Sequence, residues 1–241
     1  MSKRLLAAMA LVQVFAGAVQ AREAELSFVP WPRSVKAQGG ALAMTASGKI
    51  VAGEASLQPL AKVLSEEIHR MTGLRLSPAT GPGSAGDIVL CVAAALKNPA
   101  GYTLAVTDRV TVTGGAYLGA AHGTSLLLQA IRPDKNGFSV PRLTVEDAPY
   151  SEYYGTMVDI ARQNNTLEEL RGVVDMMRLY RLRFLQLHMS DDQAWTFPST
   201  AYPQLGKSNW ATRGGPVPMV YSVAEWKELV RYADERGVTF V

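Results

Sequence analysis

The chain has 241 residues, 48% of them apolar and 19% charged, with a formal net charge of +3. That is the balance of a folded globular protein long enough to bury one or two cores. No run of five or more basic residues occurs, so charge gives no case for a nucleic-acid partner or an anionic membrane surface. Residues 1–21 read as a secretory signal: Lys3 and Arg4 form a positive start, residues 5–19 are almost uninterruptedly apolar, and Val19-Gln20-Ala21 places small residues at the cleavage positions. A membrane anchor is the alternative, but the apolar run is shorter than the roughly 20 residues that a span needs. Export to the periplasm or the exterior is therefore expected, with no stable membrane anchor. Lys3 and Arg4 account for two of the 24 basic residues, so removal of the signal leaves 22 against 21 acidic ones.

After the signal, Phe28-Val29-Pro30-Trp31-Pro32 is an extended, Pro-punctuated entry. Residues 49–52 form a short strand. From Ser56 the periodicity turns helical, with Leu57, Leu60, Leu64, Ile68 and Met71 on one face and Gly73 as the stop. Residues 78–86, rich in Gly, Pro and Ser, read as a loop. Strands are predicted at 88–92, 102–107 and 110–113, the last two as a hairpin, and a second helix at 117–131. The single cysteine, Cys91, cannot form an internal disulfide; it reads as a small buried hydrophobe on a strand, since nothing nearby would activate its thiol.

The pattern changes near Thr144-Val145-Glu146-Asp147-Ala148-Pro149 and becomes strand, helix, strand, helix, strand. Residues 155–160 form an apolar strand. Thr166-Leu167-Glu168-Glu169 is a capping box opening a helix whose apolar face is Leu167, Leu170, Val174 and Met177. A second strand covers 183–189, and a long Pro- and Gly-rich loop covers 190–220. Ser222-Val223-Ala224-Glu225 is a second capping box, followed by a stripe of Trp226, Leu229, Val230 and Ala233 and a stop at Gly237. Residues 238–241 begin a third strand. Successive βα units imply parallel strands, in an open sheet or a (β/α)8 barrel. Three strands cannot close a barrel, so the expectation is an α/β chain: residues 22–149 as an α+β domain with a sheet and about two helices, and 150–241 as the first units of a barrel, truncated from a longer protein.

Two strand ends carry chemistry. In Leu187-His188-Met189-Ser190-Asp191-Asp192-Gln193-Ala194-Trp195, an apolar strand runs into adjacent carboxylates. Neighbouring acids repel when ionised, so each needs a donor partner or a shifted pKa; a turn or cap is the plain alternative. The preceding strand ends in Asp159-Ile160-Ala161-Arg162. The planar donor fork of Arg162 suits the adjacent hydroxyls of a sugar, and an ion pair with Asp147, Asp159 or Asp191 is an alternative that does not exclude this. Trp195 is open between packing on the rim and stacking on a sugar, Trp210 is a candidate aromatic at the pocket mouth, and Trp226 is core.

Other motifs carry less. Gly114-Gly115-Ala116-Tyr117-Leu118-Gly119 lacks dinucleotide-loop spacing, and a tight turn with close helix packing accounts for its glycines. Gly206-Lys207-Ser208 ends like a phosphate loop, but Ala201 stands where the first glycine must be. His69, His122 and His188 show no paired metal-ligand spacing.

The run from Tyr154 through Asp159-Ile160-Ala161-Arg162, the stretch Met176-Met177-Arg178-Leu179-Tyr180-Arg181-Leu182-Arg183-Phe184, and His188-Met189-Ser190-Asp191-Asp192-Gln193 together resemble the family 20 glycoside hydrolases, the β-N-acetylhexosaminidases. Upstream, Gly101-Tyr102-Thr103-Leu104 and the segment from Gly119 to Gln129 resemble the α+β domain that precedes their barrel. The resemblance implies that Arg162 holds hydroxyls of a terminal N-acetylhexosamine. It implies that Asp191 supports a hydrogen-bonded chain, through a downstream His, to the general acid. It also implies retaining hydrolysis in which the substrate's acetamido oxygen attacks the anomeric carbon, with no metal or organic cofactor. The partner would be an N-acetylhexosamine-terminated glycan or a chitin-like oligosaccharide. The family's Pro-Gly-His segment and catalytic Asp-Glu pair would lie beyond residue 241, so the chain by itself is expected to be inactive; a non-catalytic glycan- or protein-binding module is the alternative. Tyr154 stands where many members have Arg, Gln186 replaces the first of two frequent histidines while His188 keeps the second, and Gln163-Asn164-Asn165 departs from the usual stretch.

Overall fold

The computed structural model describes residues 26–206 and 219–241. The signal segment, Lys207-Ser208 of the loop resembling a phosphate-binding turn, and Trp210 lie outside the described residues.

The first half is built on a mixed sheet of eight strands. These are β1 (Ser34–Met44), β2 (Lys49–Ala52), β3 (Ser77–Thr80), β4 (Ile88–Val92), β5 (Tyr102–Val106), β6 (Val110–Gly114), β7 (Arg132–Asp134) and β8 (Gly137–Asp147). Their order is β1-β8-β5-β6-β4-β2-β3, with β7 paired to β8. The predicted hairpin is present: β5 and β6 pair antiparallel, Tyr102 opposite Gly114 and Val106 opposite Val110. Along these strands every second side chain (Ile88, Leu90, Tyr102, Leu104, Val110, Val112) is buried on one face, the period-2 signature of a half-covered sheet. Helices α1 (Gln58–Thr72) and α2 (Tyr117–Ala130) supply the cover.

Helix α1 buries Leu60, Leu64 and Ile68 and ends where Gly73 takes φ 77°, a left-handed C-cap that donates its N–H to His69. Met71, placed on the buried face from periodicity, is half exposed instead. Met71 falls on the last turn before the Gly73 stop, where the stripe continues past the last buried residue, Ile68. Cys91 also departs from expectation. It points to the less covered face of β4 and is partly accessible, while burial and, secondarily, the charge of Glu54 push its thiol pKa up; the thiol is unactivated, though not part of the core. Strand β3 occupies part of the predicted 78–86 loop, pairing parallel to β2.

Helix α2 is buried all round because it is packed on both sides, by the sheet and by the second half of the chain. Its glycines are dictated by that crowding. A Cβ on Gly119 would sit 2.2 Å from the Gly101 oxygen, and one on Gly114 would sit 2.1 Å from the Ala120 nitrogen. Close packing therefore accounts for the glycines of 114–119.

The second half alternates β9 (Gly155–Asp159), α3 (Leu167–Leu179), β10 (Phe184–His188), α4 (Val223–Asp234) and β11 (Thr239–Phe240). The three strands are parallel, in the order β11-β10-β9. Both capping boxes form: Thr166 and Ser222 accept from the N3 amides while Glu169 and Glu225 reach back to the cap amides. Helices α3 and α4 bury Leu170, Val174, Met177, Trp226, Leu229 and Ala233 against Leu185 and Leu187 of β10. Val230, assigned to the same stripe, is 40% exposed; it lies one position around α4 from Leu229 and lines an open surface groove with Phe197 and Trp226. Met157 and Gln186, paired in register on the face away from the helices, are exposed. This is the face that would point inward in a closed barrel.

A polar seam ties the halves together. Arg178 of α3 is fully buried and grips Glu67 of α1 with two bonds, Nε to Oε1 at 2.6 Å and Nη2 to Oε2 at 2.7 Å. Its remaining reach goes to Thr124 Oγ1 and the Ala121 oxygen on α2, both at 3.2 Å. Gln129 donates to the Leu179 oxygen at 2.6 Å, and the Tyr117 hydroxyl donates to the Glu235 oxygen at 2.8 Å.

Candidate functional site

Parallel strands deliver their C-terminal ends to one rim. The register sets His188, the last residue of β10, beside Asp159, the last of β9. The chain leaving β9 turns at once: Asp159 Oδ1 accepts from the backbone N–H groups of Ala161 and Arg162, each at 3.0 Å. Its Oδ2 accepts from Arg162 Nη1 at 2.6 Å. One carboxylate thus folds the turn and aims the side chain that follows it.

The chain leaving β10 doubles back into a small loop. Asp191 N–H donates to the Ala194 oxygen at 2.9 Å, Thr196 N–H to the Met189 oxygen at 3.0 Å, and Ser190 bridges Trp195. Ala194 and Thr196 are buried and anchor it. This geometry separates the two adjacent acids: Asp192 faces solvent, while Asp191 turns toward Arg162 and His188. Asp191 Oδ2 receives Arg162 Nη2 and lies 2.7 Å from His188 Nε2, while Oδ1 accepts the Asp192 N–H at 2.8 Å.

The electrostatics follow from these donors. The hydrogen bond from His188, then those from Asp192, hold the Asp191 carboxyl down at about 2. Burial raises the Asp159 pKa, but the side-chain and backbone bonds from Arg162 outweigh it and the net direction is down. The Arg162 pKa is raised, chiefly by its bond to Asp159. The rim is therefore a fixed pattern of ionised groups, with Arg162 about half exposed above it. A guanidinium carries five N–H donors; two of those on Arg162 are committed to the carboxylates, which leaves three.

Of the partners anticipated for Arg162, the structure selects Asp159 and Asp191. Asp147 is elsewhere, accepting from the Tyr102 hydroxyl at 2.8 Å and from the Arg33 amide at 3.2 Å. His188 is the member of the cluster that the sequence showed without assigning it there; it joins through Asp191. An adjacent acid pair, Asp234-Glu235, closes the C-terminal end of α4, which leads into the start of β11 and so lies away from this rim; there the Glu235 backbone oxygen accepts from the Tyr117 hydroxyl. Trp195 is half-buried with its ring N–H buried, and Trp226 is core, stacked near Phe197 at 6.3 Å. His69 caps α1 and His122 is buried 22 positions from its partner, the Ala100 oxygen. Among the described residues no three potential metal ligands cluster, and no helix is long and apolar enough to cross a membrane.

Comparison with known proteins places this arrangement. Residues 25–148 match the model of glycosyl hydrolase family 20, domain 2, and residues 151–241 match the family 20 catalytic domain. The chain belongs to glycoside hydrolase family 20. This family 20 chain is 29% identical over 232 residues to a β-hexosaminidase of Vibrio furnissii, covering 90% of this chain and 37% of that protein. Its fold superimposes on the β-N-acetylhexosaminidase of Streptomyces coelicolor A3(2) with a TM-score of 0.79 and 28% identity, covering 89% of this chain and 45% of that one. The N-acetyl-β-hexosaminidase of Streptomyces plicatus gives a TM-score of 0.77 and 29% identity over 88% of this chain and 44% of that one. The chain thus spans less than half the length of these relatives. Its three parallel strands and two helices correspond to part of a family 20 catalytic domain, preceded by the domain that accompanies it.

Proposed function

We propose that this chain is part of an exported β-N-acetylhexosaminidase that removes terminal N-acetylglucosamine or N-acetylgalactosamine from glycans or chitin-like oligomers. Residues 1–21 serve as its export signal, 22–149 as its α+β domain and 150–241 as the start of its catalytic barrel. The observation that carries the reading is the Asp159–Arg162–Asp191 cluster at the C-terminal ends of adjacent parallel strands, where (β/α)8 enzymes place their chemistry.

In this reading Arg162 binds. Its spare donors take vicinal hydroxyls of the terminal sugar, and the two carboxylates keep the guanidinium from swinging away. Asp191 stays ionised and acts on the proton-transferring apparatus rather than on the sugar. Hydrolysis proceeds with retention, the substrate's acetamido oxygen serving as nucleophile. Among the described residues the rim offers positioning groups, and its Asp159 and Asp191 are held ionised rather than protonated for the leaving oxygen, so in this reading the 241-residue chain turns over no substrate. Such a sugar site reads as exo-acting because the fork engages the hydroxyls of a terminal ring.

Two measurements test this. Saturation-transfer NMR with N-acetylglucosamine should detect contact with the wild-type chain and none with Arg162→Ala; equal transfer to both sinks the assignment of Arg162. An assay with a chromogenic N-acetylglucosaminide should show no hydrolysis by the 241-residue chain, and robust hydrolysis overturns the claim of inactivity. Coding sequence that continues past Val241 into further barrel units would link the chain to turnover. A stop codon there, with glycan binding retained, would favour an accessory module.

A further inference from the structure

His188 touches both halves of the rim. Its backbone oxygen accepts from Ile160 and Ala161, both at 3.1 Å, the two residues that lead into Arg162. Its Nε2 lies 2.7 Å from the same Asp191 oxygen that receives the Arg162 guanidinium. An ionised carboxylate can only accept, so Nε2 carries the proton in this contact. The other donors to Asp191 are softer: the Asp192 amide belongs to the loop tip, and Arg162 reaches in on a long, half-exposed side chain. The imidazole stands on the last residue of a paired strand and turns about two bonds only. It is the stiff member of the set.

We propose that His188 is a positioning residue that sets the Asp191 rotamer, and through it holds the Arg162 fork with its spare donors turned to the open side. The proposal rests on the reading of Arg162 as the sugar-binding group, and adds to it the element that keeps that group in place. The charges around the fork are Asp159, Asp191 and Asp192; of these Asp191 alone is linked to His188 through its side chain.

A residue that merely filled the strand end could be replaced by another ring without consequence for Asp191. The test is therefore a ¹³C NMR titration of the Asp191 carboxyl in the 241-residue chain, with ¹⁵N detection of the Arg162 guanidinium. In the wild type, Asp191 should titrate near 2. His188→Phe keeps a ring and removes the donor, and should move that midpoint up toward the ordinary value of about 3.9 while broadening the Arg162 signal. His188→Gln restores a neutral donor and should recover part of the shift. Should His188→Phe fail to fold, Asp191→Ala reads the same contact from the other side: with the acceptor of the Nε2 proton removed, the His188 ¹⁵Nε2 chemical shift should move from its wild-type value, and an unmoved shift overturns the proposal. An Asp191 midpoint unmoved in His188→Phe, with the β9 and β10 amide signals unchanged, overturns the proposal. Adding N-acetylglucosamine to the same samples separates the two readings. Binding lost in Arg162→Ala but intact in His188→Phe removes the positioning role and leaves the sugar site. A moved Asp191 midpoint with no wild-type binding supports the network and removes the sugar-binding reading on which its function depends.

Discussion

Two arginine–carboxylate clusters in this chain use the same chemistry to opposite ends. Arg178 in the seam is fully buried, pairs with Glu67 through two bonds and spends two further donors on Thr124 and the Ala121 oxygen. Arg162 on the rim is half exposed, is gripped by Asp159 and Asp191, and keeps three N–H donors unspent by them. A dry arginine with four of its five donors committed has little to offer a ligand, and its loss strands a buried charge. A restrained arginine with spare donors in water contributes little to stability and is suited to recognition. Exposure and remaining valence, more than the identity of the pair, tell the two roles apart.

The comparison breaks most readily at the seam. Arg178→Ala should cost about 3–5 kcal/mol, because Glu67 is left buried without its counter-charge. The double variant Arg178→Met with Glu67→Leu should lose far less. Urea unfolding monitored by circular dichroism measures both, and equal losses in the single and double variants would mean that the pair is not the cause.

His122 sharpens the same side. It is buried beside the seam, where desolvation, opposed by its bond to the Ala100 oxygen, depresses its pKa to about 4. Its folded value lies below its unfolded value of about 6.5. Above that pH the ring is neutral in both states and adds no dependence. As pH falls from 6.5 to 4 the unfolded chain takes up a proton that the folded chain refuses, so stability declines, by on the order of 3 kcal/mol, and levels off below. Denaturation midpoints across that window should flatten in His122→Gln.

Caps come next. Thr166→Ala removes the side chain that accepts the Glu169 amide at the start of α3, and should cost about 1 kcal/mol by thermal or urea melts. The smallest effect belongs to the rim: Arg162→Ala should leave the denaturation midpoint unchanged while abolishing sugar contact by saturation-transfer NMR. A marked loss of stability there would erase the distinction on which the comparison rests.

Much of the architecture was legible because its signals are local. Both capping boxes, the β5–β6 hairpin and the Gly73 stop are written in four- to ten-residue patterns, and all formed. Strands β1 and β8 were not foreseen. Their pairing joins Ser34 to Glu146 and Met44 to Phe138, and β1 carries Gly39 and Gly40 at positive φ with mostly exposed side chains, so no alternation announces it. Met71 and Val230 were misplaced because periodicity reports which residues share a helix face, not where the neighbouring surface stops. Cys91 was misplaced because an apolar strand sequence does not say which of its two faces the helices cover.

At the rim, Arg162 and Asp191 were nominated by their places after two apolar strands and by resemblance, and the parallel register then brought them together. The amino-acid sequence alone determined where helices begin, which strands pair locally, and that acids and an arginine follow two strand ends, since these depend on contacts within a few residues. Only the tertiary structure decided that Arg178, one polar residue among several on α3, is the buried lock between the halves, that Asp191 turns inward while Asp192 faces water, and that His188 bridges to that same carboxylate. Each of those depends on which distant surface closes over a side chain, and burial is a property of the packed chain rather than of its order.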